Sequence, residues 1–342
     1  MKARLAINYL FEGLSLFGGV KIALHQAHLL HRRGHRVRVI SRGERPAWYR
    51  LEVPFLRLAE LDPVAVPPAD VHVATFWTTI AAAAGAPGGQ AVHYCQGFEA
   101  SYLHNRDEHP AILAAYATPI PGMALAPHLA ELLRTRFGRP ARVVPPALTR
   151  AWRPRFRRRP RRPARVLVVH PFENDWKGVR TALAAVTELR HRGIDLQLVR
   201  LSQWPVSEAE RAIAVPDEYH EALPPARVPG LMAGCDLLLA PSWEQEGFGL
   251  PVLEAMASGV PVIASDISAF RGFAAEAAML VPPRDPRAFA AAAEAVLADV
   301  ARWRRMRRAG LRVARRFSER AAADAAEEAL YWVAEGRWRS GP

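Results

Sequence analysis

Short apolar runs and apolar stripes at helical spacing alternate along the chain. Leu5–Leu10 reads as a buried strand, and Val20–Arg33 carries Ile22, Ala23, Ala27, Leu29 and Leu30 as a rough helical stripe. Gly34 closes that helix, and Val37–Ile40 is the next apolar run. Strand, helix and strand in succession predict a βαβ unit and therefore a parallel sheet. Val71–Phe76 and Ala91–Gln96 read as further strands, Met123–Leu133 continues the α/β pattern, and Val143-Val144 is a short last strand.

The pattern then breaks. Arg153–Arg165 holds eight arginines and three prolines, and like-charge repulsion with proline disfavours a packed element there. A second α/β series begins with Val166–Val169. It continues through a helix at Gly178–Arg190, a strand at Leu196–Leu201, a short helix at Val228–Ala233 and a strand at Leu237–Ala240. A helix at Pro251–Ser258 and a strand at Val260–Ala264 follow, and helices dominate from Pro286 to Trp338. The expected organisation is an α/β domain over 1–150, a basic linker over 151–165, a second α/β domain over 166–318, and a final helix over 319–342 that crosses back to the first domain. A chain of 342 residues, half of them hydrophobic, has material for two such cores.

Composition changes this picture in three places. No run of ~18 apolar residues occurs, so no transmembrane helix is expected. The basic start followed by Leu5–Phe11 superficially suits a secretion signal. The run stops at Glu12 without a small-residue cleavage site, so it is read as the first core strand. Cys95 and Cys235 stand far apart in apolar surroundings, as buried thiols of a reducing, cytoplasmic compartment would. The net charge of +13 suits nucleic acid, anionic lipid or phosphorylated substrates, although an arginine-rich composition by itself names no partner. Of the 46 basic residues only Lys2, Lys21 and Lys177 are lysines. A compact ammonium in a chain that otherwise uses arginine marks Lys177 as a candidate phosphate ligand. The basic helix Arg302–Phe317 reads as a solvated outer face over a packed stripe, with a membrane-surface role as the alternative.

The segment with the most chemistry is Pro241–Gly259. A buried strand runs into a loop containing Gly247 and Gly249, Pro251 suits a helix start, and Gly259 suits a helix stop. A glycine-bearing loop feeding a helix N-terminus at the carboxyl end of a strand is where α/β sheets bind anionic ligands. Glu246 lies in that loop and Glu254 about one turn into the helix. Paired carboxylate oxygens suit vicinal sugar hydroxyls, so Glu254 is a candidate for a ribose and Glu246 for a transferred sugar. Favourable placement of acids near a helix start is the competing explanation.

The run Glu246-Gly-Phe-Gly-Leu-Pro-Val-Leu-Glu254-Ala-Met-Ala-Ser-Gly-Val-Pro-Val262 resembles the signature of retaining GT-B glycosyltransferases of glycosyltransferase family 4, in which seven residues separate two glutamates. Cys235–Ser242, Met279–Asp285, Gly18-Gly19, Arg33-Gly34-His35, Val143–Pro146 and Trp176-Lys177-Gly178 are similar to the same family. The resemblance implies a GT-B fold, two Rossmann-like domains facing across a cleft. It also implies sugar transfer with retention from a nucleotide-sugar donor to a glycan or lipid-linked acceptor, as in polysaccharide biosynthesis. By the same resemblance Glu254 binds the ribose, Glu246 contacts donor sugar hydroxyls and Lys177 neutralises the diphosphate. Backbone around Gly247, Phe248, Gly249 and Leu250 meets diphosphate or sugar, and Gly18 and Gly19 face the phosphate or acceptor.

Two departures stand out. Such enzymes place an arginine five or six residues before this lysine, and Val169-His-Pro-Phe-Glu-Asn-Asp-Trp176 contains none; Arg200 and Arg180 are the candidate substitutes. Gln96 stands where many relatives carry a histidine, with His93 three residues earlier. A subgroup that includes some rhamnosyltransferases has a similar His-Pro stretch and a similar glutamine. No Asp-x-Asp occurs, so neither a metal nor another cofactor is expected. Three other functions compete: a nucleotide-sugar epimerase or phosphorylase of the same fold, a basic nucleic-acid-binding protein, and an NAD-dependent dehydrogenase. The basic segment lacks a nucleic-acid recognition motif, and the first loop reads Gly13-x4-Gly18-Gly19 in place of the dinucleotide fingerprint. A peripheral contact with the inner membrane surface is a further expectation from the Arg153–Arg165 cluster.

Overall fold

The computed structural model describes residues 3–340, which fall into two compact units, 3–147 with 317–340, and 148–316. The first unit begins β1 (Ala6–Phe11), α1 (Gly18–Arg32), β2 (Arg36–Ser41), β3 (Phe55–Arg57), β4 (Val71–Ala74) and α2 (Ile80–Gly85). It continues with β5 (Gln90–Cys95), α3 (His109–Tyr116), β6 (Gly122–Ala124), α4 (Pro127–Phe137) and β7 (Ala141–Val143). The seven strands form one parallel sheet in the order β3-β2-β1-β4-β5-β6-β7. Helices cover both faces, which is why β1, β4 and β5 are almost wholly buried. The strand order reverses between β1 and β4, the position at which open α/β sheets form a crevice.

The second unit contains β8 (Ala164–Val169), α5 (Val179–His191), β9 (Leu196–Ser202), α6 (Glu208–Arg211), β10 (Glu218–Glu221), α7 (Val228–Met232) and β11 (Leu237–Ala240). Then come α8 (Leu250–Ala257), β12 (Val262–Ser265), α9 (Ser268–Arg271), β13 (Met279–Val281), α10 (Pro286–Ala298) and α11 (Val300–Ala314). Its six parallel strands run β10-β9-β8-β11-β12-β13, with the reversal between β8 and β11. Val166, Val168, Leu183, Leu198, Leu239 and Phe289 fill the core beside the fully buried Trp303, whose indole N–H donates to the Asp236 carbonyl at 2.8 Å. The last helix, α12 (Glu319–Ala334), belongs to the first unit. Arg33 of the α1 C-cap binds Asp324 at 2.5 Å and Glu327 at 2.8 Å, and the Tyr331 hydroxyl donates to the Ala3 carbonyl at 2.7 Å.

Several expectations shift. α1 starts at Gly18, two residues earlier than the apolar stripe, and β3, β10 and β13 are strands too short to show a period. The stretch 151–165 is no free linker. Arg157 donates to the Asp236 carboxylate at 2.6 Å and to the Ala233 carbonyl at 3.2 Å, and Arg161 to the Gly234 carbonyl. The open carbonyls past the end of α7 and the wholly buried Asp236 give these guanidiniums partners that outweigh their mutual repulsion. Cys95 and Cys235 are both buried free thiols. No helix among the described residues is long and apolar enough to cross a membrane.

Candidate functional site

The site of the second unit is assembled at the carboxyl ends of β8 and β11, where the strand order reverses. β11 ends in the loop Pro241–Gly249, and α8 starts at Leu250 with Gly249 as its N-cap, at φ 85°. A Cβ on Gly249 would lie 2.3 Å from the Phe270 ring, so both conformation and space restrict this position to glycine. Gly249 offers no side-chain cap, Pro251 has no N–H, and the Val252 amide donates to the Gly249 carbonyl at 3.0 Å, so Leu250 carries the amide at the helix start.

Lys177 arrives from the turn after β8. The Trp243 amide donates to the Trp176 carbonyl at 2.7 Å, and Gly178 sits at φ 64°, where a Cβ would come within 2.0 Å of the Pro241 carbonyl oxygen. The two loops are thus stitched backbone to backbone, and Gly178 permits the approach. Lys177 Nζ then lies 2.8 Å from Glu246 Oε2. Glu246 is only 7 % exposed and Lys177 16 %. Burial alone raises a carboxyl pKa, but the adjacent ammonium and hydrogen bonds from Lys177 and Ser242 overcome it and hold Glu246 down at about 2. Glu246 is therefore ionised throughout the physiological range, on a fixed ammonium.

His170 completes this pocket, and sequence reasoning placed no role on it. It follows β8 directly and adopts φ 93°, a left-handed conformation rare for a residue with a side chain. The pocket is lined by His170, Ser242, Glu246, Gly249, Pro251 and Phe270. Burial first, and then the Lys177 charge, push its imidazole down to about 3, so it stands uncharged at neutral pH. The sequence signal was the His-Pro pair at the end of an apolar run; the strained backbone was not readable.

Arg200, a candidate for the missing diphosphate arginine, lies elsewhere. It is fully buried, 2.5 Å from Glu210, and donates to the carbonyls of Val168 at 2.7 Å and His170 at 2.9 Å. Its donors are committed to fixing the end of β8, so it offers no guanidinium to a ligand. Arg180 is exposed, 5.0 Å over the Phe172 ring. Phe248 is 4 % exposed and stacks on Phe273 at 4.5 Å, so its ring packs inward while Gly247 and Leu250 flank it in the loop and at the helix start. Glu254 is half-buried one turn into α8.

Gly19 and Gln96 meet in the first unit, and Gly18 precedes Gly19. Gly18 and Gly19 open α1 and Gln96 follows β5, with the Gln96 side chain 3.2 Å from where a Gly19 Cβ would stand. The Gln96 Oε1 atom is buried without a hydrogen-bond partner. Phe17 caps α1 without a side-chain bond, and the first turn carries no acid. His93 lies inside β5, fully buried, edge-on to the Tyr116 ring. Among the described residues no group of three or more His, Cys, Asp or Glu side chains is placed to hold a metal ion.

Residues 163–299 match the family model of glycosyl transferases group 1. The chain is similar to an MMP α-(1→4)-mannosyltransferase of Mycolicibacterium hassiacum, 36 % identical over 35 % of this chain and 31 % of the relative. It is also similar to a phosphatidyl-myo-inositol mannosyltransferase of Mycolicibacterium smegmatis, 33 % identical over 41 % of this chain and 38 % of the relative. The chain thus spans about a third of the length of these curated relatives. Among solved structures it resembles a sucrose-phosphate synthase from Thermosynechococcus elongatus, with TM-score 0.78, 17 % identity and coverage of 96 % of this chain and 98 % of that one. It also resembles Anabaena HepE in complex with UDP-glucose, with TM-score 0.77, 13 % identity and coverage of 96 % and 100 %. The fold is that of the GT-B glycosyltransferases, and the match to the group 1 family covers 163–299.

Proposed function

We propose, from the match to the group 1 glycosyltransferases at 163–299, that the chain transfers a hexosyl or deoxyhexosyl group from a nucleotide-sugar donor to a glycan or lipid-linked acceptor, with retention of anomeric configuration. The observation that carries the reading is the Lys177–Glu246 pair, 2.8 Å apart and buried at the strand-order reversal beside the uncapped start of α8. The mannosyltransferase relatives support it, as does the fold shared with a UDP-glucose-binding protein.

Departure of a nucleoside diphosphate builds negative charge on the leaving oxygen. Preorganised cations and amides lower that barrier because they need not reorganise during reaction. In this reading Lys177 and the positive end of α8, with its Leu250 amide, supply that charge without a metal ion. Glu246, unable to take up a proton above about pH 2, accepts hydrogen bonds from the donor sugar and does not act as a general acid. Glu254 holds the ribose. With retention, the departing phosphate takes the acceptor proton on the same face of the sugar.

The test is transfer from a panel of nucleotide sugars after donors are selected by thermal shift. Glu246→Ala is expected to abolish most transfer while leaving the fold intact, and chelator is expected to leave turnover unchanged. Wild-type turnover by Glu246→Ala, or products that are isomerised donor or sugar phosphate, would overturn the reading.

A further inference from the structure

We propose that the outer face of the arginine-rich strap at 153–162, with the exposed side of α11, docks on an anionic lipid bilayer, and that Phe156 is its apolar anchor. The inference is independent of the sugar-transfer reading and lies wholly within the second unit. The strap is held rigidly from inside. Arg157 and Arg161 point inward to Asp236 and the carbonyls after α7. α11 reaches back with Arg304, which donates to the Arg158 carbonyl at 2.6 Å, and with Arg307, which donates to the carbonyls of Arg155 and of Gly259. Pro154, Pro160 and Pro163 stiffen the same stretch.

With the backbone anchored, the remaining side chains face outward. Arg153, Arg155, Arg158, Arg159 and Arg162 are exposed, as are Arg308 and Arg312 of α11. Among the described residues Arg155, Arg158, Arg159, Arg162, Arg308 and Arg312 make no ion pair. No Asp or Glu occurs between Glu131 and Glu173, nor between Asp299 and Glu319, so no acid along either segment offsets these charges. Phe156 stands in their midst, 85 % exposed, with the Arg158 guanidinium 5.8 Å from its ring.

An unneutralised guanidinium cluster seeks several phosphates at once, and a bilayer surface presents them in two dimensions. A phenyl ring left in water beside them finds its partner in the acyl boundary just below the headgroups, where arginine stems also bury their methylenes. A polynucleotide would satisfy the charges, but the single ring lacks the successive aromatics on which bases stack.

The experiment is flotation of the full chain with phosphatidylcholine vesicles, with and without phosphatidylglycerol. Binding is expected only with the anionic lipid. The joint substitution of Arg155, Arg158, Arg159 and Arg162 by Ser is expected to lower the partition coefficient at least about tenfold. Phe156→Ser alone is expected to lower it about threefold or more, with melting temperature unchanged and binding to a duplex oligonucleotide unaffected. Equal binding to neutral vesicles, unchanged binding after either set of substitutions, or tighter binding to the oligonucleotide than to anionic vesicles would each overturn the proposal.

Discussion

Glu246 in the second unit and Glu99 in the first are buried to the same degree, each 7 % exposed, and their carboxyls respond in opposite ways. Burial drives Glu99 up to about 7, although the Tyr116 hydroxyl donates to it. Its neighbours do not reverse this. Cys95 and Tyr116 are themselves pushed upward by burial, and Arg139 spends its guanidinium on the carbonyls of Ile120, Tyr116 and Pro121. Glu246 has an ammonium at 2.8 Å and falls to about 2. Depth therefore does not decide the charge of a buried carboxylate in this fold; a committed cation does, and among the described residues only the second unit provides one.

The largest expected effect comes from removing that cation. Lys177→Met leaves Glu246 buried without its counter-charge and should destabilise the second unit by about 3–5 kcal/mol, read by urea unfolding at pH 7. The sign of its pH dependence should reverse as well. In the native chain the depressed Glu246 contributes stability that is present above about pH 4.5 and lost as pH falls toward about 2. In the variant, stability should improve on mild acidification. An unchanged acid profile would remove the basis of the comparison.

Glu99→Gln sharpens it from the other side. A carboxyl raised from 4.5 to about 7 favours the native state below about pH 4.5 and loses that advantage as pH rises through about 7. The variant should match the native chain near pH 4 and exceed it by about 3 kcal/mol at pH 8. A constant difference across that range would argue that a neighbouring cation holds Glu99 ionised.

Gly178→Ala should cost about 2 kcal/mol or more, because a Cβ would lie 2.0 Å from the Pro241 carbonyl oxygen in a left-handed backbone. Donor binding should fall with it, as the loop carrying Lys177 backs away; thermal shift with the selected nucleotide sugar measures both. The smallest effect is expected for His170→Asn. Asn tolerates the left-handed conformation at φ 93°, so stability at pH 8 should change by less than about 1 kcal/mol. Native His170, depressed to about 3, contributes stability present above pH 6.5 and lost as pH falls through about 3, and the variant should lack that part of the acid loss.

The residues that could be read from sequence were those whose chemistry is local. The glycine-bearing loop, Pro251 and the helix stop at Gly259 mark α8 by themselves, and Lys177 stood out because lysine is so rare in this chain. What escaped depends on residues distant in sequence. The twist at His170, the Trp243–Trp176 stitch and the Lys177 bond to Glu246 exist only once β8 and β11 lie side by side. Arg200 was assigned to a ligand because a strand residue facing the core and one facing a pocket look alike in sequence; its partner Glu210 lies on the separate helix α6. The strap was read as a loose linker because charge repulsion is visible in sequence and the waiting carbonyls of Ala233 and Gly234 are not.

The return of α12 to α1 makes the amino-terminal unit discontinuous. Its outer helix comes from residues 319–334, after the whole of the second unit. During synthesis the second unit can therefore close while the first still lacks the partner of Arg33 and His35. Of the two units, the one begun earlier is the one completed later, and until then the face of α1 that α12 covers stays open.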